Sequence, residues 1–161
     1  MSARVHGLPG LPGGSDDLEA FCGHCGRAPD GPASPSRVCQ HCDLGLVLEA
    51  GSEVAPAPTE PFIVVDNRMA VCALSQAAEQ LLGIQETAAV NRHLGELLLP
   101  ADANAVTDGG LIETVLSAAS AQNGAPVRRV VVRPLGVFGV RFTARVGRCG
   151  PAPSALIVLE D

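Results

Sequence analysis

The spacing of hydrophobic and polar positions changes character along the chain and divides it into four stretches. Residues 1–17 (MSARVHGLPGLPGGSDD) alternate Gly and Pro with single apolar residues and show no period, which predicts a flexible leader. Residues 18–50 hold scattered apolar positions, Leu18, Phe21, Val38, Leu44, Leu46, Val47 and Leu48, too few to build a core alone. Residues 51–60, with Pro56 and Pro58 and then Pro61, have the composition of a semi-extended linker. From residue 61 to 161 the pattern becomes regular, and a single domain is expected there.

Phe62–Asp66 (FIVVD) is a short apolar, β-branched run, Asn67 and Arg68 supply a turn, and Met69–Leu74 (MAVCAL) reads as a second strand, so a hairpin is predicted. Ser75 suits a helix N-cap, and Ala77, Ala78, Leu81 and Leu82 recur at helical spacing until Gly83 offers a left-handed C-cap. Residues 84–99 read as short helical stretches with Leu94, Leu97, Leu98 and Leu99 as core candidates, closed by Pro100. Residues 102–121 have the spacing of a longer helix, weakened in its middle by Gly109 and Gly110, with a loop as the alternative for its first half. Three β-rich segments follow, Val127–Leu135, Val137–Val146 and Ala155–Glu160. In the first two, Arg128, Val130 and Val132 alternate with Arg129, Val131 and Arg133, and Val140, Phe142, Ala144 and Val146 with Arg141, Thr143 and Arg145, which predicts antiparallel strands with one face wet and one in the core. Two strands, several helices and three strands, without internal repeat, define the α+β class.

That order resembles a PAS domain, over residues 61–161. The resemblance is carried by the first strand ending in Asp66, by Ser75-Gln76-Ala77-Ala78-Glu79-Gln80-Leu81-Leu82-Gly83 after the second strand, and by the closing strand Ala155–Asp161 with its acidic end. Ser75 stands where many relatives carry Asn, and either residue caps a helix. The resemblance implies a five-stranded antiparallel sheet with a helical flank. It also implies a sensory or docking role, dimerisation, and room for a small ligand between sheet and helices. Flavin-dependent photochemistry is not expected, since no Asn-Cys-Arg-Phe-Leu motif occurs. Neither is haem, since residues 102–121 hold no His and His93 reads as an exposed polar residue. Relatives often continue into a helix leading to a kinase or cyclase, whereas this sequence ends at Asp161, so a signal is expected to leave by partner binding.

Composition narrows the partners. The formal charge is -6, with three Arg against eight acids over residues 1–60, and neither half of the chain is basic. Nucleic-acid affinity rests on clustered cations and stacking aromatics. Four Phe, no Tyr and no Trp leave few platforms, which weighs against nucleic acid. No apolar run approaches the ~20 residues of a membrane span, and no secretory stretch opens the sequence. A cytoplasmic protein is the expectation, with a protein partner or a second copy as the target of docking.

The chemistry concentrates in six Cys. Cys22 and Cys25 form one C-x2-C pair and Cys39 and Cys42 another, with thirteen residues between the pairs, close to the spacing of a four-cysteine zinc site. Two thiolates two residues apart reach one ion from a tight turn, with Gly23 and Gly26 allowing backbone amides to bend toward the sulfurs. Four sulfurs complete a tetrahedron and leave no open position, so a structural zinc ribbon is predicted. Iron in a rubredoxin-like site and a redox-active dithiol are the competing readings. His24 and His41 lie inside the two turns and would replace a Cys only in a mixed site. Cys72 is expected to be a small buried hydrophobe and Cys149 the more exposed thiol. Arg128, Arg129, Arg133, Arg141, Arg145 and Arg148 lie on two adjacent strands. They predict either a solvated face or an anionic contact, for which the acidic N-terminal module of the same chain is a candidate.

No phosphate loop, G-x-S-x-G or paired-carboxylate motif is present, so a non-enzymatic role is expected. The reading is a signalling or regulatory protein in which a zinc-ribbon docking module joins a PAS sensory or dimerisation domain. The alternatives are a thiol-based redox or metal-responsive switch and a zinc-ribbon nucleic-acid adaptor.

Overall fold

Each strand predicted after residue 61 forms, and the helix between Ser75 and Gly83 forms as its end signals dictate. The structure is a computed structural model that describes residues 17–31, 37–101, 110–121 and 125–161. The leader, apart from Asp17, and residues 102–109 of the longer predicted helix lie outside the described residues.

In chain order the strands are β1 (Leu18–Cys22), β2 (Val47–Gly51), β3 (Phe62–Asp66), β4 (Val71–Leu74), β5 (Leu98–Pro100), β6 (Arg128–Pro134), β7 (Phe142–Gly150) and β8 (Ser154–Glu160). The helices are α1 (Gln76–Leu82), α2 (Glu86–Ala89) and α3 (Leu111–Ser120), with a 3-10 turn at Leu94–Glu96. Every pairing is antiparallel, in the order β1-β2-β7-β8-β3-β4, with β6 also on β7 and β5 on β6. The helices pack over one face. This is the α+β architecture that the sequence predicts, an antiparallel sheet with a helical flank; the five expected strands are β3, β4, β6, β7 and β8, and β1, β2 and β5 extend the sheet to eight.

Local signals account for α1. The Ser75 hydroxyl accepts from Ala78 N at 3.1 Å as a helix cap and also from Phe62 N at 2.9 Å, so one buried side chain ties the helix start to β3. Gly83 takes φ 66°, and its N–H closes the last turn on Glu79 O.

Three expectations are corrected. Leu98–Pro100 is not helical; it forms strand β5, pairing with Val132–Pro134 of β6. A three-residue strand has no period of its own, and its partner lies more than thirty residues away. Leu94, Leu97 and Leu98 are buried as expected, and Leu99 is half-buried. β7 begins at Phe142 rather than Val137, because Gly136 and Gly139 adopt φ 77° and 81° and turn the chain between β6 and β7.

The third correction concerns the sheet's faces. All of Phe62–Val65 and Ala155–Leu159 are buried, so β3 and β8 are covered on both sides. Ile63, Val65, Ile157 and Leu159 face the helices with Leu94, Leu98 and Val115. Phe62, Val64, Leu156 and Val158 face the other way and form a second core with Phe21, Ala50, Val54 and Cys149. The N-terminal segment supplies that cover. β2 continues the sheet along the edge of β7 where β6 leaves off, pairing Glu49 with Gly150 and Ala50 with Cys149, while β6 pairs with Phe142–Val146. Residues 51–60 take part as well: Val54 is buried against Gly147, where an added Cβ would stand 2.9 Å from Val54 Cγ1. Gly147→Ala is therefore expected to destabilise the chain by about 1–3 kcal/mol through overpacking, read as a lower midpoint in thermal unfolding.

Arg145 is not on a wet face either. It is 9% exposed, ion-paired with Glu160 and, at 3.1 Å, with Glu60, and its Nη2 donates to Ala55 O at 3.3 Å. An anionic contact from the N-terminal half thus exists, and it comes from residues 55–60. Arg129 also reaches Glu160, at 3.4 Å, on an exposed rim.

Candidate metal centre

Each C-x2-C pair sits in a turn, and the two turns are built alike. Gly26 N donates to Cys22 O at 3.0 Å and Asp43 N to Cys39 O at 3.0 Å. The residue after each second cysteine is left-handed, Gly26 at φ 74° and Asp43 at φ 56°; Asp is among the few side chains that tolerate this region. Outside the turns the chain is fastened by Cys22 N to Arg27 O at 2.9 Å, Cys39 N to Gly45 O at 2.7 Å, and Gly23 N to Leu46 O at 2.9 Å. β1 leads into the first turn and β2 follows the second, so the hairpin's pairing brings residues twenty positions apart together.

The result places the sulfurs of Cys22, Cys25, Cys39 and Cys42 all within 4.8 Å of one another. Cys22 Sγ lies 3.6 Å from Cys42 Sγ, and Cys25 Sγ 3.8 Å from Cys39 Sγ. A tetrahedron with metal–sulfur bonds of ~2.3 Å requires edges of about 3.8 Å, so the donor set fits one tetrahedral ion. Backbone N–H groups point at the sulfurs, as thiolates require: His24 N and Cys25 N to Cys22 at 3.3 and 3.4 Å, His41 N to Cys39 at 3.4 Å, and Gly45 N to Cys42 at 3.5 Å.

The thiols are unequal. Burial pushes Cys22 up to about 12, against the N–H groups of Cys25 and His24. Burial raises Cys42 too, but the N–H groups of Gly45 and Leu44 together with the thiols of Cys22 and Cys39 outweigh it and bring that thiol down to about 6. Four sulfurs this close repel one another as anions, and a dication bound among them removes that cost while releasing protons.

Gly45 has a steric role. A Cβ there would collide with Cys22 Sγ and stand 2.8 Å from His24 Cβ and N. Gly45→Ala is expected to lower the metal content of the purified chain well below that of the parent, measured by elemental analysis against protein concentration.

The histidines inside the turns stay out of the cluster. His41 is exposed and meets Asp30 through Nε2 at 3.2 Å. His24 accepts through its backbone carbonyl from Gln76 N at 2.8 Å, joining the first turn to the start of α1. His93 is exposed, as predicted, and caps the 3-10 turn by accepting from Gly95 N at 3.0 Å. The two remaining cysteines exchange their expected places. Cys72 is exposed on the edge strand β4, whereas Cys149 is fully buried in the second core, where burial pushes its thiol up to about 12. No described helix is long and apolar enough to cross a membrane.

No family model and no curated protein sequence matches this chain. Among solved structures, it is similar to a domain of the sensory box sensor histidine kinase/response regulator from Geobacter sulfurreducens, with 11% identity, 64% of this chain and 83% of that one covered, and a TM-score of 0.46. It is also similar to the PAS domain of an HTR-like protein from Haloarcula marismortui, with 19% identity, 68% and 84% covered, and a TM-score of 0.45. A PAS domain from Colwellia psychrerythraea matches at 19% identity, 64% and 86% covered, with a TM-score of 0.43.

Proposed function

We propose that this chain is a non-enzymatic signalling module in which a structural zinc ion, held by Cys22, Cys25, Cys39 and Cys42, fixes a ribbon against a PAS-type sensory and docking domain. The observation that carries the zinc is the size and closure of the cluster. Four sulfurs spaced for a tetrahedron, with N–H groups behind them, leave no coordination position for water or substrate. Such a site holds shape rather than performing chemistry. Two-sided burial of β3 and β8 then makes the ribbon part of the sensory body, so a change in the ribbon is felt at the sheet.

One measurement tests this directly. Native mass spectrometry of protein purified without added metal should show one zinc per chain, and metal-free chain should lose the protection of β1 and β2 in hydrogen exchange. Iron in place of zinc, or a metal-free chain with unchanged protection, would sink the reading.

A second reading, a thiol switch, is favoured by the pairing of the sulfurs as Cys22 with Cys42 and Cys25 with Cys39 and by the half-buried position of Cys25 and Cys42. Peroxide oxidises two thiolates to one disulfide, itself reduced to water, and frees the metal. Zinc release under mild peroxide, reversed by thiol reductant, would select this reading.

A further inference from the structure

Two surface features remain without a role. The first is the turn between β6 and β7. Leu135, Val137, Phe138 and Val140 are all exposed there, Phe138 at 89%, although it is one of only four aromatic residues in the chain. Arg133 and Arg141 flank this apolar tip in sequence. The second is a groove of about 360 Å³ between the second cysteine turn and the outer face of the sheet. Leu44, Leu46 and Leu48 form one wall, Val64 and Ala73 another, and Leu44 stands 74% exposed at its mouth. Asp66 and Glu86 contribute carboxylates, and no Arg lines it. Each carboxylate also accepts from the backbone, Asp66 from Arg68 N at 2.8 Å and Glu86 from Leu74 N at 2.9 Å, which holds both in place.

We propose that the two features are partners: the Phe138 tip of one copy of this chain seats in the groove of a second copy. An apolar knob flanked by cations meets an apolar slot flanked by anions, so shape class and charge sign match on both sides. The chain does not satisfy this contact within itself. The tip adjoins Phe142 and the groove adjoins Gly150, at opposite ends of the nine residues of β7, which at ~3.4 Å per residue lie about 27 Å apart. That separation favours a closed pair. Two copies laid antiparallel side by side bring each tip to the other's groove, making the same contact twice about a two-fold axis. The inference does not depend on the signalling role, only on the groove wall being formed.

Sedimentation velocity on the full chain, after its metal content has been determined, tests it. The expected result is a concentration-dependent species of twice the monomer mass that dissociates as salt is raised. Phe138→Ser should halve the mass and keep the thermal midpoint that the parent shows at dilutions where it is monomeric. Leu44→Arg, at an exposed position, should do the same by placing a cation in the slot. The two variants, each monomeric alone, should form a mixed dimer when combined, because the intact groove of one still meets the intact tip of the other; loss of fold would not produce that complementation. A wild-type chain that stays monomeric, a Phe138→Ser chain that keeps the dimer mass, or failure of the variants to complement would overturn the proposal. So would a monomeric wild type carried down by anionic lipid vesicles through Phe138, which would assign the tip to a membrane surface.

Discussion

Replacing Cys22 and Cys39 together by serine is expected to abolish binding of the ion proposed for the four-cysteine cluster and release β1 and β2 from the sheet while the pairing of β3 with β8 survives. The two substitutions take one sulfur from each turn, so neither turn retains a bidentate grip. The apolar residues of this segment are few, and Leu18, Val38, Leu44 and Leu46 are exposed, so little burial holds it without the ion. Structural zinc contributes about 10–16 kcal/mol of apparent binding free energy in small ribbons, far more than Phe21, Leu48 and Ala50 regain by burial. Hydrogen exchange should show the amides of Val47–Gly51 losing protection. A dye that binds apolar surface should respond as Phe62, Val64, Leu156 and Val158 become uncovered. Wild-type protection of β2 in the metal-free variant would contradict the reading that the ion holds the ribbon.

The second large effect is expected at Phe62. Its side chain is fully buried on the face away from the helices, and its ring meets Phe21 edge-on, with centroids 5.4 Å apart and an interplanar angle of 87°. Phe62→Ala should lower the unfolding free energy by about 3–5 kcal/mol through lost burial and the cavity left behind. The loss falls at the joint between β1 and the sheet, so the ribbon should loosen in the same variant. Urea unfolding measures the difference. Phe138→Ala, which removes the same ring from a position exposed within the single chain, is the control and, at dilutions where the parent is monomeric, should stay within about 0.5 kcal/mol of it. If Phe62→Ala cost no more than Phe138→Ala, the outer face would not be a core.

Much of the fold was legible because its signals are local. Ser75 and Gly83 mark the ends of α1 through cap chemistry that needs nothing from the rest of the chain. The cysteine spacing, with a residue suited to left-handed backbone after each pair, similarly points to two matched turns. What escaped depends on contacts distant in sequence. β5 exists only because β6 returns to pair with it. Arg145 reads as a solvent-facing residue in strand alternation, and only Glu60 and Glu160, one from far upstream, make it an interior ion pair. The two-sided sheet did leave a trace. Uninterrupted apolar runs such as Phe62–Val65 and Ala155–Leu159 are the pattern of strands covered on both faces, whereas β6 and β7 alternate. The identity of the covering segment was not in those runs, because the N-terminal segment offers Phe21, Ala50 and Val54 as its fully buried share, scattered over more than thirty residues.

The position of β8 bears on how the molecule is made. It follows β3 and β7 in sequence and yet lies between them, bonded to both. During synthesis the nascent chain can close the β3–β4 hairpin and the β6–β7 hairpin as they emerge, but the two remain unconnected until residue 160 has left the ribosome. Until then β3 and β7 each present an unpaired apolar edge, the kind of edge that recruits strands from other molecules. Translation therefore completes the sheet in one late step, and the interval before β8 arrives is when this chain is most exposed to misassembly.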